Sequence, residues 1–463
     1  MTMPPKSSCR FTLHLLLIAL ALVFSAPAFS DEGDAPISIE AIKTFSEAYS
    51  RIKSEYVEET DDKKLVNDAI KGMLSGLDPH SAYLDYEGLK DFGMATGGEF
   101  GGVGIDVSLE EGWVKVVTPI EDTPAYRAGI KTGDIIYEVD GVSMKGVSIS
   151  DAIRRMRGTP ETSVKIAVLR KSEPNPIDFV VVRQIIKNPS VKYKLSDPEY
   201  PYLRITQFQE HTGEDLAKAL KSIYKDSKSP VKGLVLDLRN NPGGLVTSAV
   251  AVASAFLERD KLIIYSDGRT PDSRMRLFAN PKNYVGDEAY DYMRDIPAEI
   301  KTVPMIVLVN SGSASAAEIV SGALQDHNRA KILGTQSFGK GTIQTLLPLS
   351  SGSAIKLTVA QYFTPSGKSI QAKGITPDIL VNDSNDSGGG QGPVIRESDL
   401  SHHLANPNDH DRQTSERTSN RSEGISKETK KQFADASPYE SGTESDYQYT
   451  QAVNALKGMA TQK

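Results

Sequence analysis

Apolar runs and helical patterns alternate through the second half of this sequence. Short apolar runs are typical of buried strands, and they occur at 202–208, 233–238, 262–265, 305–310, 331–333 and 354–362. Between them, apolar residues recur three and four positions apart, which is typical of helices, at 213–224, 245–256 and 316–324. Strands that alternate with helices predict a layered α/β core. The polar stretch 267–298 predicts a long loop over the functional site of that core.

The first part of the chain has a helical pattern instead. From Ile37 to Tyr86, large apolar residues return at helical spacing: Ile42, Phe45, Tyr49, Ile52 and Tyr56. A second helix is predicted from Lys64 to Leu77, followed by a turn that ends at Tyr83. We therefore predict a helical N-terminal region over residues 31–98.

The extreme N-terminus has the pattern of an export signal. Lys6 and Arg10 precede an apolar run at 15–24, and the small residues Ala28 and Ser30 fit a cut before Asp31. The run is shorter than the ~20 residues that span a bilayer. Residues 1–30 are thus predicted to be a signal peptide and the mature protein to be periplasmic, with association with the inner membrane as the alternative.

The C-terminal tail is polar until its last residues. Residues 383–445 are rich in Ser, Asn, Asp, Gly and charge, so they are predicted to form a disordered linker. Residues 446–463 regain helical spacing and predict a terminal helix that docks on its own or a neighbouring chain. The apolar stripes at the two ends of the chain predict a homo-oligomer.

Composition narrows the choice of function. The chain has 463 residues, which is enough for two or three domains, and a formal net charge of −7. The sequence shows no basic stripe, so we expect no nucleic-acid partner. The only cysteine, Cys9, lies in the predicted signal peptide, which leaves the mature chain without cysteine chemistry.

A serine and a lysine provide the candidate chemistry. Ser315 falls between an apolar strand run and a helical pattern, where first-turn N–H groups could stabilise an oxyanion. Lys340 lies between two glycines, and a lysine can remove the proton of a serine hydroxyl if burial lowers its pKa. The spacing of the two residues alone means little in a chain this rich in both.

A glycine turn upstream is the candidate oxyanion site. The sequence Asp237-Leu-Arg-Asn-Asn-Pro-Gly-Gly-Leu245 follows an apolar run. The N–H of Gly243 or Gly244, together with that of Ala316, is the predicted oxyanion hole. An ordinary tight turn is the alternative, while a phosphate loop is disfavoured because no Gly-Lys-Ser/Thr follows.

These motifs together resemble a known family. Ser-Ala-Ser-Ala-x-Glu at 313–318 with Phe-Gly-Lys-Gly-x-x-Gln at 338–344 resembles the C-terminal (tail-specific) processing peptidases, which are serine proteases with a Ser-Lys dyad. The resemblance implies that Ser315 is the nucleophile, Lys340 the general base and Gln344 the residue that orients the lysine. Ala317 departs from the serine that is frequent in the family, but it is not a dyad position.

The same resemblance implies a fold and a function. It covers roughly residues 37–382 and implies an α/β, crotonase-like protease core at 186–382 with an inserted PDZ domain. The implied activity is that of an exported serine endopeptidase that cleaves unfolded or tail-exposed polypeptides near the C-terminus. It implies polypeptide substrates with free C-termini and no metal or other cofactor, and it leaves the need for an adaptor protein open.

Residues 99–185 resemble a PDZ domain. The residues that match its carboxylate-binding loop are Gly102, Val103, Gly104 and Ile105. Such a loop binds a peptide's terminal carboxylate through main-chain N–H groups while the peptide pairs along a sheet edge. A helix at 151–157 is predicted to line the groove. Arg157 and Arg170 are both candidates for sensing an occupied groove.

Two other functions remain as alternatives. A catalytically inactive PDZ scaffold would be expected to have lost Ser315 or Lys340, and both are present. A Ser-His-Asp hydrolase would instead use Ser315 with His80 or His327. A histidine beside a proline in a turn, as at His80, is more often a structural hydrogen-bonding group.

Overall fold

The structure is a computed structural model that describes residues 38–286, 290–382, 394–409 and 440–460. The predicted signal peptide at 1–30 lies outside these ranges. Among the residues inside them, no helix has both the length and the apolarity needed to cross a membrane. The chain divides into one unit that ends at Asp68 and another that begins at Ala69.

The first unit contains helix α1 (Ile39–Glu55) and the start of helix α2 (Asp62–Ser75). The Tyr49 hydroxyl donates a hydrogen bond of 2.8 Å to Asp62, which fixes the end of α1 against the start of α2. The predicted apolar stripe on α1 is exposed at Ile42, Phe45 and Ile52.

After α2, a turn leads into strand β1 (Ala82–Leu84) and helix α3 (Tyr86–Gly97). Helix α3 lies inside the predicted helical N-terminal region, but no separate helix was predicted there, although its ends have recognisable signals. The Asp85 side chain accepts the N–H of Gly88 at 2.8 Å, and Gly98 ends the helix with a φ of 77°.

Residues 99–187 form an antiparallel sheet and a short two-stranded ribbon with two short helices, the elements expected of the predicted PDZ domain. Its elements are β2 (Glu99–Gly102), β3 (Ile105–Glu110), β4 (Trp113–Pro119), α4 (Pro124–Ala128), β5 (Ile135–Val139), β6 (Val142–Ser143), α5 (Ile149–Met156), β7 (Ser163–Leu169), β8 (Ile177–Val182) and β9 (Gln184–Lys187). The strand order is β3-β4-β5-β7-β8, with β6 paired to β5. β2 and β9 pair as a separate ribbon where the chain enters and leaves the unit.

The core is built on a six-stranded sheet in the order β10-β11-β12-β15-β16-β19, parallel except for β10. The elements of this part of the chain are β10 (Val191–Lys194), β11 (Tyr202–Ile205), α6 (Thr212–Asp226), β12 (Leu234–Asp237), α7 (Val246–Phe256), β13 (Leu262–Gly268), β14 (Arg276–Phe278), β15 (Met305–Val309), α8 (Ala316–Asp326), β16 (Lys331–Gly334), β17 (Thr342–Pro348), β18 (Ala354–Phe363) and β19 (Ile379–Leu380). The predicted strands and helices of the core are confirmed within a few residues at their ends.

Both faces of this sheet are buried, which explains why its strands are continuous apolar runs. Leu234 and Leu236 of β12 face one side and pack in a cluster with residues of α6, α7 and α8. Val235, between them, faces the other side and packs with residues of a terminal helix, α9 (Tyr447–Ala460). The predicted terminal helix therefore docks on its own chain.

A second sheet covers the loop that carries Lys340. It is antiparallel, with the order β1-β18-β13-β14, and β17 also pairs with β18. β17 directly follows Lys340, so this sheet sets the direction in which the lysine loop leaves the core.

The tail differs from the prediction in one stretch. Residues 394–409 fall inside the predicted disordered linker, yet they pack against the core through Glu397 and Asn406, both buried. The buried groups are polar and their partners lie elsewhere in the chain, so the local composition gave no sign of this packing.

Candidate active site

Ser315 sits at a strained turn between β15 and α8. It is the residue before the first turn of α8 and has φ 53° and ψ −113°, a conformation that is costly for a residue with a side chain. Such strain is common where a turn must expose a reactive group. The predicted position of Ser315 at a strand-to-helix turn agrees with this geometry.

One buried carboxylate ties the Ser315 turn to the Lys340 loop. Glu318 is fully buried, and a single oxygen, Oε2, accepts the N–H of Ser315 at 2.8 Å and the N–H of Lys340 at 2.9 Å. Its other oxygen accepts the N–H of Gly339 at 2.7 Å and the Ser337 hydroxyl at 2.6 Å. The main-chain nitrogens of Ser315 and Lys340 therefore lie within two hydrogen-bond lengths of each other.

Burial and hydrogen bonding shift the pKa of Glu318 in opposite directions. Burial raises the pKa of Glu318 to about 7, while its four hydrogen-bond donors favour the ionised form. A carboxylate that receives four donors and holds two loops together is a structural part of this site. The sequence motif contains Glu318, but we assigned it no role from sequence.

A buried tyrosine joins the same two residues from the other side. The Tyr362 hydroxyl of β18 lies against the carbonyl oxygen of Ser315 at 3.1 Å and also contacts the carbonyl oxygen of Lys340. Burial raises the pKa of Tyr362 well above its ordinary value, so the phenol remains a neutral donor. Ser315 and Lys340 are thus held together at both their N–H and their C=O groups.

Lys340 has the electrostatics expected of a base. Burial of its ammonium group lowers the pKa to about 8, and the positive charge of Lys356 acts in the same direction. Glu397, Glu318 and Asp78 oppose this shift. No hydrogen bond links Ser315 Oγ to Lys340 Nζ within the described residues.

Gln344 is adjacent to this site on β17. Its side-chain amide donates to the hydroxyls of Thr342 at 3.0 Å and Thr358 at 3.2 Å. These bonds fix the orientation of the side chain and leave its carbonyl oxygen available as an acceptor. The role predicted for it, orienting Lys340, stays a prediction.

The glycine turn lies directly against Ser315. A Cβ added to Gly243 would be 2.8 Å from the Ser315 Cβ and 2.9 Å from the Ala316 nitrogen, so only glycine allows this approach. The N–H of Gly243 donates to Asn241 at 2.9 Å. In the described part of the chain, the N–H groups of Gly244 and Ala316 have no acceptor. Of the two predicted glycines, Gly244 is therefore the one whose N–H is available.

Two asparagines that hydrogen bond to each other connect the Ser315 turn to the glycine turn. The Asn310 side chain donates to Asn240 at 2.9 Å, and the Asn240 N–H donates back to the Asn310 side chain at 2.9 Å. The Ser313 hydroxyl also donates to the carbonyl of Leu238 at 2.7 Å. The candidate oxyanion site is thus built from both predicted motifs.

Neither candidate histidine pairs with Ser315. The His80 ring lies 2.8 Å from a Glu397 oxygen, and the His327 ring lies 2.7 Å from the carbonyl oxygen of Leu262. Across the described ranges, neither ring has a hydrogen bond to Ser315. Both histidines are structural hydrogen-bonding groups here, as the sequence predicted for His80.

The predicted carboxylate loop, Gly102 to Ile105, turns its carbonyls inward. Val103 accepts the N–H of Ala125 at 2.9 Å, and Gly104 accepts the N–H of Ile120 at 3.0 Å. Gly104 has φ 79°, and a Cβ there would be 2.4 Å from that of Thr123. The loop therefore requires glycine at 104.

The two candidate arginines differ in their surroundings. Arg170 makes a bidentate ion pair with the buried Asp134, with both contacts at 2.8 Å. Arg157 lies next to the carboxylate loop, 4.5 Å from the centre of the Phe100 ring. Arg170 is committed to a structural pair, whereas Arg157 packs on Phe100 beside Gly102. Which of the two senses an occupied groove stays a prediction.

Comparison with known proteins supports this description. Residues 199–381 match the model of peptidase family S41, residues 115–170 match a PDZ domain, and residues 25–88 match the N-terminal domain of the activating protease CtpB. The Carboxy-terminal-processing protease of Bartonella bacilliformis is 46% identical over 340 residues, which cover 73% of this chain and 74% of that protein. Carboxy-terminal processing protease CtpA of Bacillus subtilis is 38% identical over 338 residues, which cover 72% of this chain and 67% of that protein.

One solved structure is also similar to this chain. The photosystem II D1 C-terminal processing protease is 29% identical, with a TM-score of 0.41, over 73% of this chain and 86% of that one.

Proposed function

The chain belongs to peptidase family S41, and on that premise we propose that it hydrolyses polypeptides near their C-termini with Ser315 as the nucleophile and Lys340 as the general base. It is a serine-type peptidase of the carboxy-terminal processing kind, with a PDZ domain. We propose three further points about this peptidase: its Ser-Lys dyad, its export and its mode of substrate recognition.

The observation that carries the dyad is the shared carboxylate of Glu318. It accepts the N–H groups of Ser315 and Lys340 on one oxygen, although the two residues lie on different loops. Lys340 is also partly buried, and loss of solvent around its ammonium group lowers its pKa to about 8. A lysine with this pKa has an appreciable neutral fraction near pH 7, which a general base requires.

The proposed reaction proceeds by acylation and deacylation. Neutral Lys340 removes the Ser315 proton as Oγ attacks the substrate carbonyl, and the N–H groups of Gly244 and Ala316 stabilise the oxyanion. The lysine then gives its proton to the leaving amine as the C–N bond breaks. A water molecule, deprotonated by the same lysine, then attacks the acyl-enzyme. The bond between the acyl carbon and Oγ breaks, and the lysine returns the proton to Oγ, which restores Ser315.

Recognition of the substrate's end is assigned to the PDZ domain. Its Gly102–Ile105 loop, whose carbonyls of Val103 and Gly104 face inward, would present N–H groups to a terminal carboxylate. The enzyme is proposed to act outside the cytoplasm, after removal of residues 1–30. N-terminal sequencing of the native protein tests this last point, and an intact Met1 would contradict it.

Three variants test the dyad: Ser315→Ala, Lys340→Ala and the double variant. Each single variant should lose turnover of an unfolded substrate while keeping its melting temperature. The double variant should be no worse than either, since the two residues act as a unit. Steady-state cleavage assays and thermal unfolding provide both readouts.

A matched control is Lys368→Ala, which removes a lysine that is exposed and lies 3.7 Å from Asp326. Its activity should equal that of the wild type. Substantial turnover by Lys340→Ala, with Ser315→Ala inactive in the same preparation, would refute the dyad and return attention to the histidines.

A further inference from the structure

The tail segment 394–409 is fastened to the core beside the lysine loop. The Glu397 N–H donates to the carbonyl of Phe338 at 3.2 Å. The Asn406 side chain donates to the carbonyls of Gln371 at 2.6 Å and Ser369 at 3.2 Å. The Gln371 amide in turn donates to the carbonyl of Leu404 at 3.1 Å. The segment is thus anchored at both ends to the two stretches that flank Lys340 in space.

Glu397 is the buried group of this segment. It has no exposed surface, and its carboxylate lies 2.8 and 3.0 Å from the His80 ring and receives the Gln371 amide at 3.0 Å. A buried carboxylate is costly unless it is hydrogen bonded. Its partners come from the turn before β1 and from the loop after β18, so three distant parts of the chain meet at this group.

A hydrogen-bonded relay connects Glu397 to the lysine loop. The Gln371 side chain donates to Glu397 with its amide and accepts the N–H of Gly341 at 2.9 Å with its carbonyl oxygen. Gly341 is the residue after Lys340. The tail therefore holds this loop at two points, through the carbonyl of Phe338 and through the N–H of Gly341.

The charge of Glu397 also acts on Lys340. Among the groups that oppose the lowering of the Lys340 pKa, Glu397 is the strongest, ahead of Glu318 and Asp78, whereas Lys356 lowers it. Glu397, Glu318, Asp78 and Lys356 are thus the charged groups that act on the lysine. The titratable group in contact with Glu397 is His80.

We propose that Glu397, supplied by the tail, is a positioning residue of the active site that fixes the Lys340 loop through Gln371 and keeps a negative charge facing the lysine. The inference rests on the proposed role of Lys340 as the base. In this view the active site is incomplete without a segment that follows the catalytic core in sequence.

The test is Glu397→Gln in the full-length chain, because glutamine keeps the size of the side chain and removes its charge. The plateau rate constant for cleavage should fall by about tenfold to a hundredfold, the usual cost of misplacing a catalytic group. The rising limb of the pH–rate profile should also move to lower pH, since loss of a neighbouring negative charge lowers the lysine pKa. A purely structural role would lower the rate without moving the limb.

The matched control is Asp399→Asn, which removes an exposed charge two residues away in the same segment and keeps a side-chain oxygen to accept the N–H of Arg396. It should leave both the plateau and the limb unchanged. A folded Glu397→Gln enzyme would overturn the inference if its plateau equals that of the wild type, or if its rising limb stays at the wild-type pH.

A second variant covers the case in which Glu397→Gln fails to fold. Gln371→Met breaks the relay but keeps the charge, so it should lower the plateau and leave the limb in place. A wild-type plateau in that variant would also overturn the inference. Lys340→Ala, measured alongside, separates the two claims: if it is active the dyad itself fails, and if it is inactive only the role of Glu397 is in question.

Discussion

Two glycine loops in this molecule are proposed to present N–H groups to a negative charge, and they are held in different ways. The turn at Gly243 and Gly244 is supported by buried ions, whereas the PDZ loop around Gly104 is supported by main-chain hydrogen bonds. An oxyanion exists only for the moment of reaction, so its donors must be in place beforehand. A terminal carboxylate is a stable charge that can itself order the loop that binds it.

The ions behind the glycine turn form a network that reaches the terminal helix. Arg239, in the turn, bonds Asp237 at 2.7 Å and Asp446, next to α9, at 2.6 Å. Burial opposes ionisation of Asp237, but Arg239 and Arg204 hold the pKa of Asp237 below its ordinary value. The terminal helix is thus part of the support of the glycine turn. Among the described residues, the PDZ loop has no comparable link to the terminal helix.

The largest effect should come from breaking this network. Asp446→Asn removes one of the two negative charges that pair with buried Arg239 and turns one of its accepting oxygens into an NH2 donor. Loss of one member of a buried ion pair costs about 3–5 kcal/mol. The free energy of unfolding, measured by urea titration, should fall by that amount, and catalysis should fall with it because the glycine turn loses its support.

The control for that prediction is an exposed ion pair on the same helix. Lys457 of α9 lies 3.6 Å from Asp197, and both side chains are partly exposed. Asp197→Asn should cost less than about 1 kcal/mol. Equal losses of unfolding free energy in Asp446→Asn and Asp197→Asn would mean that burial of the ion network adds no stability. The proposed difference in support between the glycine turn and the PDZ loop would then be wrong.

A smaller effect should follow from changing the ligand of the PDZ loop. Amidation of a substrate's C-terminus removes the charge proposed to bind there, at a cost of about 1.5–3 kcal/mol. Cleavage of a long substrate should slow by about tenfold or more at subsaturating concentration.

Acetylation of the same substrate's N-terminus is the control, because it removes a charge at the other end. It should leave the rate unchanged. If amidated and free-acid substrates are cleaved equally, the PDZ loop does not bind the terminal carboxylate. Only the glycine turn would then remain as a proposed binding site for a negative charge.

The sequence predicted the core because the core obeys local patterns. β12, β15 and α8 have apolar residues at the spacing of buried strands and helices, and their boundaries agree closely with the predictions. Segment 394–409 could not be predicted in this way. Its buried residues, Glu397 and Asn406, are polar, and their partners His80 and Gln371 are distant in sequence.

The site was only partly predictable for the same reason. The motifs identified Ser315 and Lys340, but they did not show that Glu318 and Tyr362 hold those residues together. Glu318 carried one local signal, since an acidic residue three positions after a helix-capping serine is typical of a capping box. The contact of Glu318 with the Lys340 loop depends on the tertiary fold and has no local signal.

The central claim is that the side chain at position 340 titrates as the base. Cys9 is the only cysteine, so Lys340→Cys on a Cys9→Ser background can be alkylated with 2-bromoethylamine at one site. The product resembles lysine, but its sulfur withdraws electrons and lowers the pKa of the amine. The measurement is the pH dependence of acylation in the wild type and in the alkylated enzyme.

The account predicts that the wild-type rate rises with pH through about 8, as the lowered pKa of Lys340 requires, and that the limb of the alkylated enzyme lies at lower pH. Before alkylation the variant should be inactive. A limb at the same pH in both enzymes, or an inflection near the ~6.5 of histidine, would show that another group is the base.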